Sequence, residues 1–136
     1  MSALFDANIF VRLLTGDDAA KAARCLALFE RARLGEISLI TSEAIVAEVA
    51  YVLTSPRSYR FPRDVVAAAL RPLLSDPGLQ IDRKGAVLTA LDLWGDSNLD
   101  FADCLAASRV QHANLDGIYS YDRDFDRIPG IRRLEP

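Results

Sequence analysis

The chain has few of the residues that build disulfide scaffolds and zinc sites. Among its 136 residues only two are cysteine and one is histidine. Cys25 and Cys104 are far apart in sequence, lack CxxC spacing and sit among apolar residues, where a free thiol behaves as a small buried hydrophobe. His112 is predicted at the far end of a helix from the nearest acidic cluster. We therefore expect reduced core cysteines and no zinc-like His/Cys site.

Excess positive charge and long apolar runs are also missing. The formal charge is −3 and the predicted pI is about 5.1, so no overall basic field attracts nucleic acid or an anionic membrane. Any polyanion must therefore be bound locally. No apolar run is long enough to cross a bilayer, and no basic-then-apolar leader opens the chain, which predicts a cytoplasmic protein with no membrane role.

The length and the apolar half of the composition predict one domain with a core of ordinary size. Short apolar strands alternate with helical patterns, which predicts an α/β fold whose parallel strands are joined by right-handed crossovers and covered by helices on both faces. The predicted strands are 3–5, 37–40, 79–81, 117–120 and 131–133. The predicted helices after the second strand end near 55, 74, 94 and 112.

Four carboxylates stand out in this pattern. Asp6 and Asp122 each follow a predicted strand, and ligands of parallel sheets bind beyond the carboxyl ends of the strands. Glu48 and Asp103 fall among apolar residues on helices. Converging carboxylates in apolar surroundings are costly and repel one another, whereas a hard cation removes both penalties. The residues therefore predict a site for Mg²⁺ or Mn²⁺, which prefer oxygen ligands.

Each carboxylate also has a purely structural interpretation. Asp100 is a good N-cap for the helix that it opens, and the helix dipole favours Asp103 in the first turn. Asp6 could cap the first helix, Glu48 could pair with an arginine, and Asp122 could shape a turn. Joint placement at one sheet edge favours the metal site over these separate explanations.

Four stretches resemble PIN-domain nucleases, in particular VapC toxins of type II toxin–antitoxin pairs. They are 4–10 (LFDANIF), 47–49 (AEV), 99–107 (LDFADCLAA) and 120–125 (SYDRDF). The resemblance implies a single domain over 1–136 with a PIN-like three-layer fold, in which helices flank a central, mainly parallel five-stranded sheet. It also implies a homodimer with Mg²⁺- or Mn²⁺-dependent endoribonuclease activity, in which metal-activated water hydrolyses the phosphodiester.

The same resemblance assigns roles to individual residues. The catalytic acids are Asp6, Glu48, Asp103 and Asp122, of which Asp6 and Asp103 hold metal directly and the other two directly or through water. Asn8, Asp100, Ser120 and Asp124 are supporting residues. Without a catalytic histidine to activate the ribose 2′-OH, we expect a 5′-phosphate product.

The remaining expectations concern partners. An acidic pocket repels RNA, so residues at its rim must bind the RNA backbone and bases. The segment 56–63 interleaves arginines with aromatic residues, which suit phosphate contacts and base stacking. The candidate RNA contacts are Arg12, Arg57, Tyr59, Arg60 and Arg63. The resemblance implies an antitoxin whose helix lies in an apolar groove, with Leu13, Leu14, Tyr51, Val52 and Leu53 as candidates that could equally be core. The alternative function is a PIN-like scaffold that binds RNA or a partner without cutting.

Overall fold

A computed structural model describes all residues from Met1 to Pro136 and contains six α-helices and five short strands. The strands are β1 (Ser2–Leu4), β2 (Ser38–Thr41), β3 (Leu79–Ile81), β4 (Ile118–Tyr119) and β5 (Arg133–Leu134). The helices are α1 (Ala7–Thr15), α2 (Ala19–Arg33), α3 (Glu43–Thr54), α4 (Arg63–Ser75), α5 (Lys84–Gly95) and α6 (Phe101–His112). A 3₁₀ helix at Arg123–Arg127, which the pattern did not predict, follows β4. None of the helices has the length and apolarity needed to span a membrane.

The strands are parallel, as predicted, but they do not form one five-stranded sheet. β1, β2 and β3 pair in that order, and β4 pairs with β5 in a separate two-stranded sheet. β4 and β5 have two residues each, so each strand is too short to join two partners firmly. Two hydrogen bonds join the pair, from the Ile118 amide to the Arg132 carbonyl at 2.9 Å and from the Ser120 amide to the Leu134 carbonyl at 3.0 Å. Gly117 lies so close to the Arg132 carbonyl that a Cβ there would clash with it.

Only one face of the three-stranded sheet is covered, which corrects the expected three-layer arrangement. Leu39, Leu79 and Ile81 point into the core. Their neighbours on the other face include Leu4, which is 65% exposed, and Ile40, which is 38% exposed. The physical reason lies in the helices, because α5 packs on α4 and α6, and α6 packs on α3, so these helices bury one another.

The core is a single cluster of 27 buried residues that joins the inner sheet face to the helices. Phe5, at the end of β1, contacts Phe10 of α1 edge-to-face at 4.7 Å between ring centroids. Cys25 and Cys104 are both buried and form no disulfide, in agreement with the prediction. The packing fixes α1, α3 and α6 relative to the carboxyl end of β1, because α3 contacts both other helices.

Candidate metal centre

The end of β1 is fixed by two hydrogen bonds from β2. The amide of Phe5 donates to the carbonyl of Ile40 at 2.6 Å, and the buried Thr41 hydroxyl donates to the carbonyl of Phe5 at 3.0 Å. The next residue, Asp6, is the N-cap of α1 in extended conformation, yet its side chain makes no capping hydrogen bond. The structure thus rules out the capping interpretation of Asp6 and leaves an exposed carboxylate at the strand end.

Two hydrogen bonds between residues two apart in sequence shape the loop after β4. The amide of Asp122 donates to the Ser120 hydroxyl at 3.0 Å, and the amide of Asp124 donates to the Asp122 carboxylate at 2.9 Å. Asp122 thereby caps the 3₁₀ helix, and this turn brings the side chains of Asp122 and Asp124 to the same side. Ser120 and Asp122 have the turn-forming role that their residue types favour.

Three carboxylates meet at this loop. One oxygen from each of Asp103, Asp122 and Asp124 lies within 4.8 Å of the others. Asp103 is half-buried in the first turn of α6, and this burial raises the pKa of its carboxyl above the ordinary value, with further increases from the charges of Asp122, Asp100 and Asp124. We name Asp103, Asp122 and Asp124 the acidic cluster.

Most of the candidate acids have no cationic partner. Asp6, Glu48, Asp100, Asp103 and Asp122 form no ion pair, although the chain carries 16 lysines and arginines. Within the cluster only Asp124 is paired, at 2.9 Å to Arg127. Carboxylate oxygens at these separations fit a hard divalent cation, which is held by a few carboxylates and keeps water in its remaining positions. The donor set of the cluster therefore fits Mg²⁺ or Mn²⁺.

Glu48 lies on α3 beside this region but outside the cluster. Glu43 at the start of α3 pairs with Arg109 of α6 at 3.1 Å, whereas Tyr51 near the end of α3 lines a cavity with Asp100 at the start of α6. The two helices therefore run antiparallel, and Glu48 lies near the axial level of the first turn of α6. Its side chain is exposed and unpaired, so pairing with an arginine does not explain it.

The structure changes two assignments among the acids. Asp100 occupies the N-cap position of α6, but its side chain makes no capping hydrogen bond, so the capping interpretation is wrong for it. Asp124, expected only as a supporting residue, is a member of the cluster, whereas Asp6 and Glu48 are not. The sequence signal for Asp124 was the Asp-x-Asp spacing soon after a predicted strand. The 3₁₀ helix that forms there brings the carboxylates of Asp122 and Asp124 close together.

The predicted RNA contacts lie in different environments. Arg57 is exposed and unpaired, and Arg12 forms a 2.9 Å ion pair with Asp17. Asp17 also accepts a hydrogen bond from the Tyr59 hydroxyl at 2.6 Å, and together these contacts lower the pKa of Asp17 to about 2. Arg60 donates from Nε to the carbonyl of Pro56 at 2.6 Å.

Arg63, also predicted as an RNA contact, has structural contacts within the protein. Its guanidinium donates to the backbone carbonyls of Trp94, Ser97 and Leu99. It also lies over the Trp94 ring, with the guanidinium carbon 5.2 Å from the ring centroid. These contacts join the start of α4 to the loop before α6 and engage Nη1 of Arg63.

The predicted partner groove is not one continuous surface. Leu53 is only 2% exposed and belongs to the core, which corrects its assignment. Leu13, Leu14 and Val52 are half-buried against the core, while Tyr51 is exposed. Leu14 and Leu53 border a small apolar cavity between α1, α3 and α4, and Tyr51 borders a different cavity near α6.

The parallel strands, the helices and the acidic cluster after β4 define an α/β protein with a candidate metal centre. The model of the PIN domain family matches residues 3–131, so the chain belongs to the PIN domain family, as the motifs predicted. PIN domains are in general nucleases and usually use a divalent metal. A search among curated proteins finds no match for the chain.

Proposed function

We propose that this PIN domain is a Mg²⁺- or Mn²⁺-dependent endoribonuclease. The observation that carries the proposal is the acidic cluster, whose carboxylates lie within 4.8 Å and mostly lack cationic partners. A folded chain tolerates such repulsion where a bound cation relieves it, and perturbed carboxylates of this kind concentrate at functional sites. Membership of a nuclease family makes a phosphodiester the natural substrate.

The residues divide into those that hold the ion and those that shape its surroundings. Asp103, Asp122 and Asp124 supply the nearest oxygens, and Ser120 orients the loop that carries two of them. Asp6 and Glu48 complete the site from α1 and α3, directly or through water. A bound divalent ion offsets the charge of the scissile phosphate and makes water a better nucleophile.

Histidine chemistry is not available at this site. His112, the only histidine, lies nine residues after Asp103 on α6, about 14 Å along the helix axis at 1.5 Å per residue. Its Nε2 is 2.8 Å from the Thr89 hydroxyl. Since no imidazole can act as a base on the ribose 2′-OH, attack by water should leave 5′-phosphate and 3′-hydroxyl ends.

We also propose that the enzyme is a toxin of a type II toxin–antitoxin pair, acting in the cytoplasm as a homodimer. The support is the resemblance of the stretches around Asp6, Glu48, Asp103 and Asp122 to VapC toxins. The exposed Arg57 and Arg60 before α4 would contact the RNA backbone, and an antitoxin would cover the nuclease. Induction should arrest growth, and co-expression with the product of a neighbouring small gene should restore it.

The nuclease proposal is tested by metal-dependent cleavage of a single-stranded RNA. We expect cleavage with Mg²⁺ or Mn²⁺, none in excess EDTA, and loss of activity in Asp103→Asn and Asp122→Asn. Asp116→Asn is a matched control because Asp116 is also exposed and unpaired but lies outside the cluster. Cleavage in EDTA with 2′,3′-cyclic phosphate ends would refute the proposal. Equal activity in all variants would indicate a contaminant, and RNA binding without any cleavage would favour the scaffold alternative.

A further inference from the structure

A cavity of about 350 Å³ opens beside the acidic cluster, between α3, the start of α4 and the start of α6. Tyr51 and Ala47 line it from α3, and Asp100 and Ala102 line it from α6. Tyr51 is 71% exposed, so its ring is accessible at the rim. The size is within the range of small-molecule sites and sufficient for one planar base.

Two residues that line the cavity are close in sequence to candidate acids of the metal centre. Ala102 precedes Asp103, and Tyr51 lies three residues after Glu48, one helical turn away on the same surface of α3. A nucleotide whose base entered the cavity would therefore have its backbone beside the carboxylates. No such adjacency exists for the apolar cavity lined by Leu14 and Leu53.

The polar groups of the cavity specify the hydrogen bonds that a ligand must bring. The Thr54 hydroxyl donates to the carbonyl of Ala50 at 2.8 Å, and Nη1 of Arg63 donates to backbone carbonyls. Asp100 has neither an ion pair nor a capping hydrogen bond. Asp100 is the one carboxylate that lines the cavity and it has no partner. An ionised carboxylate only accepts hydrogen bonds, so Asp100 favours a ligand that presents donors to it.

We propose that this cavity is a nucleobase pocket that takes guanine, with Tyr51 as the stacking surface and Asp100 as the acceptor for the base edge. The inference rests on the proposed function, since it assigns base preference to the same nuclease. Guanine is the base with two adjacent donors, N1–H and N2–H₂, on its Watson–Crick edge, which match the two oxygens of one carboxylate. Uracil would place carbonyl oxygens against Asp100 and be repelled.

Proteins that recognise single-stranded RNA use this combination of aromatic stacking and hydrogen bonds to the Watson–Crick edge. The amides of Phe101 and Ala102, in the first turn of α6, have no intrahelical partner and are suited to the guanine O6. Loss of an aromatic stacking partner generally weakens binding by about tenfold or more. The negative charge of Asp100 also raises the pKa of Asp103, which agrees with the closeness of Asp100 to the acidic cluster.

The test measures binding of free nucleosides in EDTA, where no hydrolysis occurs. Trp94, the only tryptophan, lines the cavity, so its indole N–H signal in NMR spectra reports occupancy. We expect guanosine to shift this signal at lower concentration than adenosine, cytidine or uridine. Tyr51→Ala should weaken guanosine binding about tenfold or more, and Tyr51→Phe should preserve it. Tyr119→Ala is the matched control, because Tyr119 is 70% exposed on β4 but does not line the cavity.

Asp100→Asn should abolish the preference for guanosine over uridine, because an amide offers a donor as well as an acceptor. Equal binding of all four nucleosides by the wild type, or unchanged guanosine binding in Tyr51→Ala, would overturn the pocket. The two proposals fail separately. Guanosine binding without RNA cleavage would support the pocket and refute the nuclease proposal. RNA cleavage that shows no preference for guanine and is unaffected by Tyr51→Ala would support the nuclease and refute the pocket.

Discussion

Replacement of Asp103 by asparagine should stabilise the metal-free fold while it removes function. The Asp103 carboxylate lies within 4.8 Å of the carboxylates of Asp122 and Asp124. At that distance each like-charge pair costs about 0.9 kcal/mol in a water-like dielectric. Asp103 is only half-buried and the Arg127 guanidinium offsets part of the charge of Asp124, so we expect a net gain of about 1 kcal/mol in the free energy of unfolding.

The sign of the pH dependence follows from the raised pKa of Asp103. Since the folded state holds this proton more tightly than the unfolded chain, the destabilisation develops as pH rises through the pKa of the folded protein. The advantage of Asp103→Asn should therefore be present at neutral and mildly alkaline pH and disappear in acid, where the wild-type carboxyl is protonated. The midpoint of thermal unfolding should rise by about 3–6 °C in EDTA.

Metal reverses this order of stability. A ligand at 100 times its Kd stabilises the folded state by about 2.7 kcal/mol, so saturating Mn²⁺ should make the wild type the more stable protein. Asp103→Asn should gain little from Mn²⁺. Urea unfolding monitored through Trp94, with EDTA or Mn²⁺, measures both effects, and Asp116→Asn should follow the wild type. A variant that is less stable than wild type in EDTA, or equally stabilised by Mn²⁺, would refute the reasoning.

Three further predictions concern other parts of the structure. Arg63→Ala should lower the free energy of unfolding by about 2–4 kcal/mol, because several backbone carbonyls lose a charged donor and a cation–π contact is lost. Urea unfolding measures this loss, and the control Arg57→Ala, at an exposed unpaired site, should change the free energy of unfolding little. NMR titration of side-chain carboxyls should place the pKa of Asp17 near 2 in the wild type and higher in Tyr59→Phe, which removes the first of its stabilising hydrogen bonds. The stability that this pair contributes should be complete above the ordinary pKa of aspartate and lost as pH falls towards 2, and an unchanged pKa in Tyr59→Phe would contradict the assignment. Burial raises the pKa of the Cys104 thiol to about 11, so it should react with a thiol reagent only after unfolding; rapid labelling of the native protein at neutral pH would show that the thiol is accessible.

Local sequence patterns determined much of this protein. Apolar runs bounded by turn residues predicted all five strands, and apolar spacing predicted α3. The structure shows Ser42 as its N-cap, with the hydroxyl accepting from the amide of Ile45 at 3.2 Å. Such features depend on neighbours within a few residues. Asp6 and Asp122 were likewise predicted to follow strands, because strand ends are readable from the chain alone.

Tertiary structure decided which side chains meet and which are free. Asp100 is a residue type that caps helices well and it stands at the N-cap position of α6, yet its side chain makes no capping hydrogen bond. Arg63 was predicted to contact RNA, but its guanidinium donates to backbone carbonyls of a loop that is distant in sequence. The pairing of β4 with β5 in a sheet of their own likewise joins segments that are separated by the 3₁₀ helix. The convergence of Asp103 with Asp122 and Asp124 joins α6 to the loop after β4. Such outcomes depend on distances between segments far apart in sequence, which the hydrophobic pattern constrains only through the packing of the whole chain.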